Sequence, residues 1–125
     1  MRSGDHLVEL SKLIVGQWSN MAGEVNNFGV TKDDYFSNGT KSIEIVIQKA
    51  GEKQIYKAKA KWSITKNILS EEVTEIDKKA VKAFGFKKGF KTRAYIQLLD
   101  NKHLIMKQLN TGSRHLSEPV TLIRT

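Results

Sequence analysis

A chain of 125 residues, 39% apolar and 27% charged with a single proline, fits one globular domain over residues 1–125 and argues against a linker-rich or disordered protein. The absence of cysteine excludes disulfides, thiolate chemistry and zinc–thiolate sites. Net charge is +8, and six of those charges come from Asp77 to Arg93, where seven basic residues face one aspartate, so the basic character is a local patch with an expected local partner.

No apolar run reaches the roughly 20 residues of a transmembrane helix, and no signal-peptide pattern opens the chain. Met1-Arg2-Ser3-Gly4 reads as a trimmed or mature start. In chain order, Leu7, Leu10 and Ile14 fall at helical spacing, with Ser3 or Asp5 to cap the helix and Gly16 to stop it. This short N-terminal helix is expected to plug one end of a core. Gly16 to Met21 reads as the first strand with Trp18 inward, residues 22 to 27 as a loop, and Phe28 to Phe36 as the second strand. Ser37-Asn38-Gly39-Thr40 reads as a tight type I′ hairpin turn.

Two strands then alternate cleanly. Ile43, Ile45 and Ile47 share one face of Lys41 to Lys49. Tyr56, Ala58, Ala60, Trp62 and Ile64 share one face of Gln54 to Thr65, with Lys57, Lys59 and Lys61 opposite. Such a period of two gives one buried face and one wet face. Ile68 to Ile76 is mixed, and neither of its faces reads as buried. Lys78 to Gly89 breaks the alternation and reads as a short helix followed by a glycine-hinged loop. Strands resume at Phe90 to Leu99, His103 to Leu109 and His115 to Arg124. About eight strands with short turns and no crossover helices predict an all-β fold, an eight-stranded antiparallel up-and-down barrel without free edges.

The N-terminal helix, the Gly16-x-Trp18 element opening the first strand, the eight-strand meander and an arginine in the last strand together resemble the lipocalin-like, calycin-type small barrels, in particular those of bacterial type. The resemblance covers nearly the whole chain. It implies that Arg124, with Arg114 as second candidate, packs across Trp18 to close the barrel, and that the interior binds a ligand. The chain departs from the lipocalin pattern in its short length and in lacking a C-terminal helix, a T-D-Y signature and cysteines.

No catalytic constellation emerges. His6, His103 and His115 lie on different elements without metal-ligand spacing, and no phosphate loop or nucleophile elbow is present. Asp33-Asp34 and Glu71-Glu72 are neighbours that a strand sends to opposite faces, so each is expected at the solvated surface. Neither an enzyme nor a cofactor nor a metal is expected.

Two functions remain. The first is a binding protein holding a small apolar or anionic amphipathic ligand in a barrel lined by Tyr56, Ala58, Ala60, Trp62, Ala94 and Met106, against the alternative that side chains simply fill the interior. The second is an interaction module with a filled barrel, acting through the basic segment 78–93 on a protein, an anionic lipid surface or nucleic acid, the last being the least expected. Lys82, Phe84, Phe86, Lys87, Lys88 and Phe90 of that segment are expected to form a basic, aromatic lid whose phenylalanines turn toward the barrel mouth. A periplasmic or secreted setting is expected ahead of a cytoplasmic one.

Overall fold

The computed structural model describes residues 10–24, 27–85, 87–109 and 119–125, with the side chains of 21–24, 27, 28 and 84 left aside. His6, Phe86, Arg114, His115, the expected helix cap and the Phe84 side chain fall outside that description. Helix α1 covers residues 10–13. The strands are β1 (Gly16–Glu24), β2 (Asn27–Tyr35), β3 (Thr40–Lys49), β4 (Glu52–Thr65), β5 (Ile68–Ile76), β6 (Lys91–Leu99), β7 (His103–Gln108) and β8 (Val120–Arg124), with α2 (Lys78–Phe84) between β5 and β6. Every strand pairs antiparallel with its sequence neighbour, and β8 returns to β1, which closes the barrel. No described helix is long and apolar enough to cross a membrane.

Turn chemistry sets the hairpins. Ala50-Gly51 and Lys66-Asn67 both have positive φ at two successive residues, the signature of two-residue type I′ turns. The Asn38-Gly39 turn differs from expectation. Only Gly39 has positive φ there, and Phe36 and Thr40 close a three-residue loop through Phe36 N–H donating to the Thr40 carbonyl at 2.9 Å. Asn38 Oδ1 accepts from the Thr40 N–H at 3.1 Å, an Asx-type bond that favours this wider loop. The expected loop over 22 to 27 is instead mostly strand, because β1 runs on to Glu24 and β2 begins at Asn27.

Register fixes which side chains face inward. Trp18 pairs Asp33, Asp33 pairs Ile43, Ile43 pairs Ala58 and Ala58 pairs Ile76, so these five form one inner ring. Tyr35, Lys41, Ala60 and Val73 form the next, and Trp62, Glu71 and Thr92 another. Lys57, Lys59 and Lys61 are exposed on the outside, as alternation predicts. In β5 the ladder skips Thr74: Val73 pairs Ala60 while Glu75 pairs Lys59. This bulge moves Glu75 outward and Ile76 inward, which is why β5 shows no clean period of two.

The core occupies one half of the barrel. Ile14, Trp18, Tyr35, Trp62, Leu69, Ala94, Ile96, Leu104, Met106 and Leu122 pack together as one buried cluster. Leu10 and Ile14 of the N-terminal turn plug that end. Toward the other end, where the β3–β4 turn and α2 lie, the same inner faces are only half-buried: Ile43, Ile45, Ile47, Tyr56, Ala58, Val73, Ile76, Thr92 and Gln108. Ile43, Ile45, Ile47, Tyr56 and Ala58 point inward as alternation predicts. They are less buried than that pattern suggests.

Candidate functional site

The closed end is tied by Trp18 and Arg124. The Arg124 guanidinium carbon lies 4.3 Å from the Trp18 ring centroid. Its Nη1 donates to the Val15 carbonyl and its Nε to the Asn101 carbonyl, each at 2.9 Å, and Nη2 donates to the Leu13 carbonyl. The Trp18 indole N–H donates to the Ile14 carbonyl at 2.8 Å. One arginine thus satisfies carbonyls at the end of α1 and in the β6–β7 turn while covering an indole face. Gly16 is required here: its φ is +129°, and a Cβ on it would stand 2.5 Å from Arg124 Nη1.

Above this end sits a charged cluster. Asp33 and Lys41 are 7% and 5% exposed, inside the barrel. Lys41 Nζ donates to both Glu71 oxygens at 2.8 Å and to the Tyr35 hydroxyl at 2.9 Å. The Tyr35 hydroxyl donates to Glu71 Oε2 at 2.7 Å. Asp33 Oδ1 lies 3.6 Å from Lys41 Nζ, an ion pair longer than a hydrogen bond. Tyr35 meets Trp62 edge to face at 5.7 Å, and the Trp62 N–H donates to the Phe36 and Thr40 carbonyls at 3.1 and 2.8 Å.

Burial dominates the ionisation of this cluster. It raises Asp33 above the usual carboxylate value, with the Glu71 charge adding and Lys41 opposing. It raises Tyr35 well above a phenol's usual value, helped by Glu71 and Asp33. For Lys41 burial acts downward, but the charges and hydrogen bonds of Glu71 and Asp33 outweigh it, and the ammonium is held above its usual value.

The expectation that Asp33 and Glu71 are solvated surface is therefore wrong. The neighbours in each pair do face opposite ways, but Asp33 from one pair and Glu71 from the other meet inside the barrel around Lys41. Sequence parity carried the signal, since Lys41 shares the face of Ile43, and Glu71 that of Leu69.

The residues expected to line a ligand divide. Tyr56 and Ala58 stand half-buried in the open half, whereas Ala60, Trp62, Ala94 and Met106 are buried in the packed half. Asp33, Ile43, Ala58 and Ile76 share the ring at the bottom of the open half, so the charged cluster forms its floor. At the mouth, a recess of about 420 Å³ lies against Ile47, Lys49, Ala50, Glu52, Gln54 and Tyr56 of the β3–β4 hairpin. Helix α2 reaches this mouth: Lys79 Nζ sits 5.7 Å from the Tyr56 ring centroid, and Ala80 is buried.

In the expected lid, Lys82, Lys87 and Lys88 are exposed. Phe90 departs from the expectation of turning inward, being 38% exposed. Its place is set by backbone bonds, with its carbonyl accepting from the Val73 N–H at 2.9 Å and its N–H donating to the Lys87 carbonyl at 3.0 Å. A recess of about 600 Å³ is lined by the outward Lys61, Ser63, Ser70, Glu72, Lys91 and Arg93 together with Gly39 and the inward Trp62, Glu71 and Thr92. Among the described residues no group of histidines and carboxylates is arranged to hold a metal.

The fold is that of a lipocalin-like, closed eight-stranded β-barrel. The chain superposes on a crystal structure of a lipocalin-like protein from Bacteroides uniformis with a TM-score of 0.55, covering 90% of this chain and 99% of that one at 12% sequence identity. That likeness is one of fold. No family model matches the sequence, and no curated protein matches it.

Proposed function

We propose that this chain is a non-enzymatic binding protein that holds one small apolar or amphipathic ligand in the open half of its barrel. One observation carries the reading. Trp18, Tyr35, Leu69 and Leu104 are at most 2% exposed at the closed end, yet the same inner faces lose that burial from Ile43 and Ala58 onward. A barrel of eight strands has room for side chains or for one small ligand, and here the two share its length. The walls are isoleucine, valine, alanine and tyrosine, which suit an apolar body. A floor with two carboxylates does not suit an anionic head group. Native mass spectrometry of protein purified from its host, with titration of the neutral fluorophore N-phenyl-1-naphthylamine, tests this. A retained mass or saturable fluorescence lost in Ala58→Trp is expected; neither retained mass nor saturable binding overturns the reading.

A second reading rests on the outside. Lys82, Lys87 and Lys88 are exposed beside Phe90, and the exposed Lys61, Lys91 and Arg93 line the recess of about 600 Å³. This surface suits an anionic lipid surface.

A further inference from the structure

The floor of the open half has more acceptor capacity than the chain fills. Two carboxylates, Asp33 and Glu71, share one ammonium, Lys41. Glu71 takes most of it, with both oxygens at 2.8 Å and the Tyr35 hydroxyl besides. Asp33 is left with a 3.6 Å ion pair although its side chain is only 9% exposed. A carboxylate so enclosed normally accepts short, charge-assisted hydrogen bonds. Asp33 lies in the same ring as Ile43, Ala58 and Ile76, which are half-buried, and so stands where the packed half gives way to the half-buried one. Further along the inner wall, Gln108 faces inward opposite Ala94, and its Oε1 is buried without a hydrogen-bond partner. Among the described residues, Asp33 with its long ion pair and Gln108 Oε1 without a partner are both acceptors on the inner wall.

Resting on the reading of the barrel as a ligand-binding cup, we propose that its ligand carries a positively charged hydrogen-bond donor at the buried end, an ammonium on an apolar chain, which docks against Asp33 on the floor. The charge count then balances, with two carboxylates facing two cations. The apolar chain runs up the wall of Ile43, Ile45, Ala58 and Ile76 toward the mouth. A carboxylate head on the same chain meets Asp33 and Glu71 as like charges. An alcohol head donates one neutral hydrogen bond and ranks between the two.

The experiment is displacement of N-phenyl-1-naphthylamine by decylamine, decanol and decanoate at neutral pH, on the unmodified protein and on Asp33→Asn. Decylamine is expected to bind about tenfold tighter than decanol, with decanoate weakest. Asp33→Asn is expected to bring decylamine down to the level of decanol and to leave decanol unchanged. Decanoate or decanol binding as tightly as decylamine overturns the inference, as does an Asp33→Asn variant that keeps the decylamine preference. Equal displacement by all three leaves the cup standing and removes its head-group selectivity; binding of neither fluorophore nor competitor removes both. The three-ligand series on the unmodified protein decides the matter by itself if the variant fails to fold.

Discussion

Lys41 Nζ lies 2.8 Å from each oxygen of Glu71, 30 residues further along the chain, and the pair joins β3 to β5 through the barrel interior. Removing one partner of a buried ion pair strands the other, at a cost of about 3–5 kcal/mol. Lys41→Met should therefore destabilise the protein by that amount at neutral pH, leaving Asp33 and Glu71 facing each other without a cation. Acid should relieve the variant, because protonation removes the stranded charges. Urea denaturation at neutral and mildly acidic pH measures this; a penalty that does not shrink in acid means the carboxylates are not repelling each other.

The same cluster sets an alkaline limit. Tyr35 is held well above its usual value of 10.0, so on raising the pH the unfolded chain ionises first and stability falls. Lys41 is held above its usual 10.5; its contribution is intact below that value and is lost as pH rises through the higher folded value. Both groups act in the same direction, so the melting temperature should begin to drop near pH 10. In Tyr35→Phe the drop should start later and be shallower. An identical alkaline profile in the two proteins would place the titration elsewhere.

Gly16 and Arg124 should prove coupled. Gly16→Ala puts a side chain at φ +129° and 2.5 Å from Nη1 of Arg124, so strain of about 1–3 kcal/mol is expected together with displacement of the guanidinium. In an Arg124→Ala background that obstacle is gone and the cost of Gly16→Ala should fall. A double-mutant cycle by thermal unfolding checks this; strict additivity would mean that the glycine serves backbone conformation alone.

The outline of the barrel was legible in the sequence because β3 and β4 alternate without interruption and because Gly16, Trp18 and Arg124 stand at the two ends of the meander. The floor was not. Asp33, Lys41 and Glu71 sit at inward parity, but a reading that sends charge to solvent overrules parity, and only three-dimensional closure shows that the two carboxylates meet around one ammonium. Thr74 hid β5 by a second route. Its bulge shifts the phase within one strand, so Glu71 and Glu75 share a face in the sequence and lie on opposite faces in the barrel.

The outer basic surface makes a separate prediction. Lys82, Lys87 and Lys88 are exposed, and each lysine near an anionic membrane contributes about 1 kcal/mol. Replacing all three with glutamine should weaken binding to phosphatidylglycerol vesicles by on the order of a hundredfold at low salt. The difference should narrow as salt screens exposed charge. Co-sedimentation at low and high salt is the measurement, and equal binding by both proteins at low salt would exclude this surface as a lipid contact.

The barrel seam depends on Arg124. Among the described residues β8 meets β1 through two register pairs, Trp18 with Arg124 and Ser19 with Ile123, so few backbone bonds hold the closure there. The Arg124 side chain adds bonds to the carbonyls of Leu13, Val15 and Asn101 and covers Trp18. Lysine keeps the charge but is not a planar fork, so it cannot span those carbonyls together. Since a hydrogen bond to a charged group contributes about 1.5–3 kcal/mol, Arg124→Lys should cost roughly 2–4 kcal/mol. Trp18→Ala should cost roughly 3–5 kcal/mol through the cavity it leaves. The two losses differ in where they act. Arg124→Lys should open the seam first, seen as faster amide exchange at Ser19 and Ile123 while β3 and β4 stay protected. Trp18→Ala removes the centre of the packed half and should lower protection across the barrel. Unchanged exchange at the seam in Arg124→Lys would show that the strand pairing alone closes the barrel.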